Sequence, residues 1–216
     1  MPPVLTRFRL LLPLLFVILL VLLLFGIRYY QSATAPEIDG LHRKPTPLPT
    51  FQLQDDKGQV FTQDSLRGQW SLLFFGYTQC PDICPGTLSM LAQVKALLPE
   101  AKNTADSFQF RFISVDGQRD PPELLYEYVR YFDPAFTAAT GSKAEIDKLA
   151  QALGIVYYRT IPDKAHPERY LIDHSASILL INPAAQRVAT FQPPHLPEDM
   201  AQRLLAMRAY LARQQD

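Results

Sequence analysis

The sequence predicts a mixed α/β domain, one sheet with helices on both faces, preceded by an apolar N-terminal helix. Three observations lead there. Leu10–Ile27, LLLPLLFVILLVLLLFGI, is an unbroken uncharged run. Ser71–Gly76, SLLFFG, is a short apolar run of the kind a sheet buries on both faces. Beyond it, helix-period segments alternate with strand-like ones, the pattern of a layered α/β domain.

The N-terminal run comes first. About 18 to 20 apolar residues cross a bilayer as a helix, which satisfies its own backbone in lipid. Pro13 lies near the first turn, where a missing N–H costs least. The competing reading is a cleaved leader with a small-residue site at Ala33–Ala35. An apolar core longer than the usual 7 to 15 or so residues, with Pro36 just after the cut, favours a retained anchor. Arg7 and Arg9 keep the short N-terminus inside. The expected organisation is therefore residues 1–9 cytoplasmic, 10–27 transmembrane, 28–50 a tether rich in proline, and 51–216 one folded domain. Such a chain would cross a bacterial inner membrane once, with its soluble domain facing the periplasm.

The domain reads in order. Residues 50–66, TFQLQDDKGQVFTQDSL, alternate on each side of DDKG and predict a hairpin. SLLFFG is the central strand. Leu88, Leu91, Val94, Leu97 and Leu98 recur at helical spacing. SFQFRFISVD alternates Phe108, Phe110 and Phe112 and ends at Asp116, a second strand. PPELLYEYVRYF opens with prolines suited to a helix start, and KAEIDKLAQALG is a helix closed by Gly154. RYLIDHSASILLINP and RVATFQ, joined by NPAAQ, predict an antiparallel pair, and LPEDMAQRLLAMRAYLARQ a C-terminal amphipathic helix. This order is thioredoxin-like, with an extra hairpin at its N-terminal end.

Composition sets the bounds. Twenty-one basic and 21 acidic residues cancel to zero formal charge, and no basic stripe stands out, which argues against a nucleic-acid partner. A domain of this size builds a full core without disulfides.

The chemistry gathers in residues 77–88, YTQCPDICPGTL, which hold both cysteines of the chain. Cys80 and Cys84 fall where the central strand hands over to a helix, a position that favours thiolate, so both sulfurs are expected to have lowered pKa values. Three intervening residues make about one helical turn and put both on one side. A structural staple, a redox pair and a metal clip are all compatible with that spacing. A staple closing so short a loop stabilises little. A metal needs a third ligand, and of His42, His166, His174 and His195 only His174 sits inside apolar strand-like sequence, YLIDHSASILL. Asp173, pointing to the other side of a strand, is a poor partner for whatever His174 binds. Alone, His174 equally reads as a buried histidine with a local hydrogen bond. Copper, as Cu(I) or Cu(II), is the natural soft metal for Cys, Cys and His in an exported domain, and zinc fits by ligand type. Asp116, ending a strand beside the cysteine loop, is a candidate to tune the site from behind the ligands or simply to form a turn.

FGYTQCPDICPGTL, followed by ISVDGQRDPPELLYEYVRYF and LIDHSASILLINP, resembles the Sco/SenC family of copper chaperones, in outline over the whole soluble domain and the anchor. The resemblance implies a thioredoxin-like fold that holds one copper ion through Cys80, Cys84 and His174. It implies a metallochaperone, assembling the dinuclear copper centre of cytochrome c oxidase subunit II or serving another exported copper protein. Family members are also credited with reducing the thiols of that copper site, so the two roles overlap. Because an exported compartment favours oxidation, a thiol reductant protein is a further expected partner. The second reading is an exported thiol–disulfide oxidoreductase, a thioredoxin-like reductase or peroxidase. Gln79 stands where many members carry histidine, and Gly117 and Pro121 replace the usual proline and threonine. None of the three is an implied ligand.

Overall fold

The computed structural model describes residues 13, 15–26, 38–100, 107–161 and 163–214, in two compact units, Met1–Glu37 and Ile38–Asp216. In the first, residues 15–26 are helical with exposed apolar side chains. Twelve helical residues extend about 18 Å, short of the roughly 30 Å hydrocarbon layer. No helix among the described residues is long and apolar enough to cross a membrane. The ends of the predicted Leu10–Ile27 span, and the small-residue site at Ala33–Ala35, lie outside the described residues.

The described residues of the second unit form ten strands: β1 Leu41–Pro47, β2 Leu53–Asp55, β3 Val60–Phe61, β4 Trp70–Gly76, β5 Phe108–Ser114, β6 Thr137–Thr140, β7 Tyr157–Thr160, β8 Leu171–His174, β9 Ile178–Ile181 and β10 Gln186–Phe191. Its α-helices are α1 Ile83–Leu97, α2 Pro122–Phe132, α3 Lys143–Leu153 and α4 Pro197–Ala212. Eight strands form one sheet in the order β1-β10-β9-β4-β5-β6-β2-β3, in which β4, β5 and β6 run parallel and the rest antiparallel. The mixed sheet matches the predicted class.

The alternation of side chains along β4 divides the core. All seven of its residues are buried. Leu72 and Phe74 join one cluster with Leu88 and Val94 of α1, Leu125 of α2 and Leu204 of α4. Leu73 and Phe75 join the other with Ile146 and Leu149 of α3 and Ile172 of β8. A strand that feeds two cores has no polar face to spare, which is why SLLFFG reads as continuous rather than alternating. Gly154 closes α3 in the left-handed conformation (φ 70°), as expected of a helix-terminating glycine.

Three elements depart from the expectation. Leu41–Pro47, within the stretch read as tether, is an edge strand paired with β10, its pairing interrupted between Leu41 and Thr46. Edge positions tolerate Pro45 and Pro47 because one side of the strand needs no donor. The short β6, TAAT, gives no period to read, yet lies buried beside β5. Finally, the run RYLIDHSASILLINP is two strands. β8 leaves the main sheet to pair with β7, with Tyr157 opposite His174, while β9 returns to lie beside β4. Ser175 marks the break: its N–H reaches the Val156 carbonyl at 3.0 Å, and its hydroxyl accepts from the Val156 N–H at 3.0 Å.

Candidate metal centre

β4 and β5, lying side by side and parallel, end together at Gly76 and Ser114. The loop leaving β4 carries Cys80, the first turn of α1 carries Cys84, and the last residue of β8 is His174. One ligand atom from each of the three lies within 4.8 Å of the other two. The predicted trio is therefore brought together. His42 bonds Thr190, His166 sits beside Glu168, and His195 reaches the Ala176 carbonyl at 2.8 Å, so the other three histidines stand apart from it.

The two cysteines are free thiols with different surroundings. The N-cap residue of α1, Asp82, makes no side-chain cap, and the Cys80 sulfur accepts the Cys84 N–H at 3.4 Å instead. Cys80 is held down to about 4, first by the Cys84 thiol, then by the backbone N–H groups of Cys84 and Asp82. Cys84 moves the other way. Its thiol is pushed up, first by its hydrogen bond to Cys80, then by burial of the sulfur and by the Cys80 charge. The expectation of two lowered values is thus corrected: one site so enclosed stabilises one thiolate and keeps one proton.

That proton has two acceptors at hand. The Cys84 sulfur lies 3.2 Å from Nε2 of His174, besides its contact with Cys80. On the other side of the ring, Nδ1 sits 3.2 Å from the Ser175 carbonyl, which can only accept. Nδ1 therefore carries the ring hydrogen, leaving Nε2 with a lone pair turned to the sulfurs. The rings of Phe74 and Tyr77 stand edge-on to the imidazole at 5.9 and 6.2 Å and wall it in.

The supports behind the trio include residues the sequence reading passed over. Gly76 is one. A side-chain carbon there would meet the Cys84 sulfur at 2.5 Å, so only glycine lets the sulfur rest against the end of β4. Asp120 is another. Fully buried, it accepts the Thr78 N–H at 3.0 Å, the Thr78 hydroxyl at 2.5 Å and the Ser114 hydroxyl at 2.6 Å, pinning the loop before Cys80 to the end of β5. Burial pushes its carboxyl up, opposed by those same bonds. A carboxylate ahead of two prolines reads as an ordinary helix start, so its sequence signal is weak. The candidate Asp116 touches none of the three: it accepts from Tyr170 at 2.6 Å and Arg119 at 2.5 Å. Arg119 also donates to the Tyr170 carbonyl, so both act on the residue that precedes β8 and hence on His174. Gly117, in the same loop, packs its Cα against the Gly141 carbonyl with no room for a side chain, and Pro121 takes the N-cap position of α2.

Two soft sulfurs, one of them the lowered Cys80 thiolate, and one imidazole lone pair converge and can hold a soft metal ion. A family model described as SCO1/SenC matches residues 41–209, the length from β1 into α4. The chain belongs to the SCO1/SenC family. The Sco chain is 39% identical over 132 residues to a SCO2-like protein of Rickettsia prowazekii, covering 61% of this chain and 62% of that one, so it spans about three fifths of this relative's length. It is also similar to two solved Sco structures. Arabidopsis thaliana ScoI with copper bound has a TM-score of 0.68 and 32% identity, over 76% of this chain and 99% of that one. Bradyrhizobium japonicum ScoI with copper bound has a TM-score of 0.64 and 34% identity, over 74% and 99%.

Proposed function

We propose that this Sco/SenC chain is a membrane-anchored copper metallochaperone. It holds one copper ion through Cys80, Cys84 and His174 and delivers it to the dinuclear copper centre of cytochrome c oxidase subunit II. The observation that carries the reading is the convergence of three ligand atoms within 4.8 Å, two thiols and an imidazole lone pair, in a protein whose similar structures hold copper. The apolar N-terminal run would fix the domain at the outer face of the inner membrane, where tethering raises the effective concentration toward a membrane-bound client.

The chain's own residues do the work of loading. The Cys80 thiolate is the accessible ligand and meets the ion first. Cys84, fully buried, passes its proton to its neighbour Cys80 and from that partly exposed sulfur to solvent as the ion is taken up, and His174 offers the Nε2 lone pair. A second reading, thiol–disulfide exchange with a client, is favoured by one observation: two free thiols, one of them a stabilised, partly exposed thiolate.

An anaerobic copper(I) titration of the reduced soluble domain, with His174→Ala alongside, tests the proposal. The expected result is one ion per chain and a clear loss of affinity in the variant. A wild type that binds no copper tightly overturns the chaperone reading. A His174→Ala protein that binds as tightly as wild type removes the third ligand and leaves the exchange reading.

A further inference from the structure

Among the described residues, the strand that carries His174 has no ladder to the main sheet. β8 pairs with β7, and Tyr157 of β7 stands directly opposite His174. Residues opposite one another on a strand pair project from the same face, their Cβ atoms about 4.5–5.5 Å apart. For this pair that face is the inner one. Tyr157 packs against the core cluster that holds Ile146 and Ile172, and Ile172, two residues before His174, is buried on the same side. The outer face is bare, with Val156, Tyr158 and Leu171 all exposed. The two strands are therefore attached to the domain through their inward side chains.

Each end of β7 has its own anchor. Arg159, opposite Ile172, stacks over Tyr170 at 4.2 Å and donates to Gln118 at 2.9 Å. At the His174 end the anchor is one hydroxyl: Tyr157 donates its phenol hydrogen to Oδ1 of Asp147 on α3. Lys143, one turn earlier on α3, donates to Oδ2 of the same carboxylate at 2.6 Å and lies 5.9 Å from the Tyr157 ring centroid. Packing does not back this contact up. Asp147 and Tyr157 line two cavities, one of about 520 Å³ reaching Lys143 and Arg159, the other of about 430 Å³ reaching Gly154 and Val156. The bond is a strut with open space on both sides. Its hold passes directly to β8, because Val156, just before Tyr157, and Ser175, just after His174, exchange two hydrogen bonds at 3.0 Å. The other tie nearby, His195 on the Ala176 carbonyl, lies beyond the break at Ser175.

We propose that Tyr157 is a positioning residue for copper binding: through its hydroxyl on Asp147 it holds the His174 end of the β7–β8 pair against α3 and so keeps the imidazole within reach of the two sulfurs. The inference rests on the copper-binding reading. It involves no proton transfer and no covalent step.

The test is Tyr157→Phe, which keeps the ring and removes the strut. Disturbing the support of a metal ligand weakens binding by about 10- to 100-fold, and a support acting from the neighbouring strand should give the lower figure, about tenfold, in copper(I) affinity measured by chelator competition. The deciding comparison is the same substitution in His174→Ala protein, where the cysteines alone meet the ion. A residue that acts through His174 has nothing left to position there, so Tyr157→Phe should change that affinity by less than about twofold. A residue that merely stabilised the fold would weaken both backgrounds alike. Asp147→Ala removes the same bond from the α3 side and should reproduce the loss, which keeps the test open whatever happens to the tyrosine variant. The metal-free protein supplies a readout that needs no copper: the His174 ring signals in NMR should shift or broaden in both variants. Unchanged affinity in the two variants, or an equal loss with and without His174, overturns the proposal. A wild type that binds no copper overturns the reading beneath it, and unmoved His174 ring signals then overturn the positioning role as well.

Discussion

The tightest point in the site is Gly76, and replacing it with alanine is the sharpest single perturbation. The added methyl would lie 2.5 Å from the Cys84 sulfur, 2.8 Å from Cε2 of Phe112 and 3.1 Å from Cζ of the same ring. Heavy atoms settle at roughly 3.5–4.0 Å, so the sulfur has to withdraw by about 1 Å. It has little room to do so. Cys84 sits in the first turn of α1, whose Leu88, Leu91 and Val94 are locked in the core, and Phe112 is held between Phe74 and Tyr128 at 6.0 and 5.6 Å. Overpacking of this kind costs about 1–3 kcal/mol. In a domain of this size each kcal/mol lowers Tm by roughly 2–4 °C, so metal-free Gly76→Ala should melt about 2–12 °C below wild type. Moving a ligand atom away from its two partners should also weaken copper(I) binding by about 10- to 100-fold, the scale seen when the support of a ligand is disturbed. Thermal unfolding by circular dichroism and a chelator competition read the two effects separately. A Gly76→Ala protein with wild-type Tm and wild-type affinity would refute the claim that the glycine exists to admit the sulfur.

The thiolate asymmetry and the redox state give further expectations. With Cys80 held down to about 4, iodoacetamide should alkylate it nearly as fast at pH 6 as at pH 8, slowing only as pH approaches 4; a rate that tracks an ordinary thiol would contradict the assignment. The same shift sets a stability profile. Between about pH 4 and the ordinary thiol value of 9.0, the folded reduced pair holds one proton where the unfolded chain holds two, so the contribution is lost as pH falls through that window. Denaturant unfolding of the reduced protein, referenced to Cys80→Ser, Cys84→Ser, should show it, and matching slopes would count against it. Protein oxidised to the Cys80–Cys84 disulfide before metal is added should lose copper binding, since both thiolates are consumed, and reduction should restore it; equal affinity in the two preparations rules out a redox switch.

Much of this architecture is visible in sequence because strong local signals agree with the tertiary result. SLLFFG is apolar throughout because β4 feeds two cores, and Gly154 ends α3 because the left-handed position there costs glycine little. The signals fail where a segment is defined by what it pairs with. TAAT has no pattern of its own, and Leu41–Pro47 reads as a proline-rich spacer until β10 offers an edge. His174 was found for a partly mistaken reason. It was read as strand-borne within one long apolar run, yet it is the last residue of a strand outside the main sheet, freed to face the sulfurs by the break at Ser175. The supports were harder still, because Asp120 and Tyr170 acquire their roles only through partners 6 to 54 positions away.

Those supports also explain how three ligands from separate segments converge. Each arrives on a different segment and each segment is fixed independently. Cys84 is set by the close approach to Gly76, and the loop before Cys80 by Asp120 through Thr78. β8 is set from its start by Tyr170, Asp116 and Arg119, and from beyond its end by Val156 on Ser175 and His195 on Ala176. Contacts within the fold therefore hold each ligand in place, and a pre-organised site loses less affinity to ordering. The burial pattern then gives the site a direction. Cys84 is closed off behind α1, whereas Cys80 is partly open and already thiolate. On the proposed chaperone reading, a client's ligand would displace Cys80 first while Cys84 and His174 still held the ion, so exchange would proceed one bond at a time.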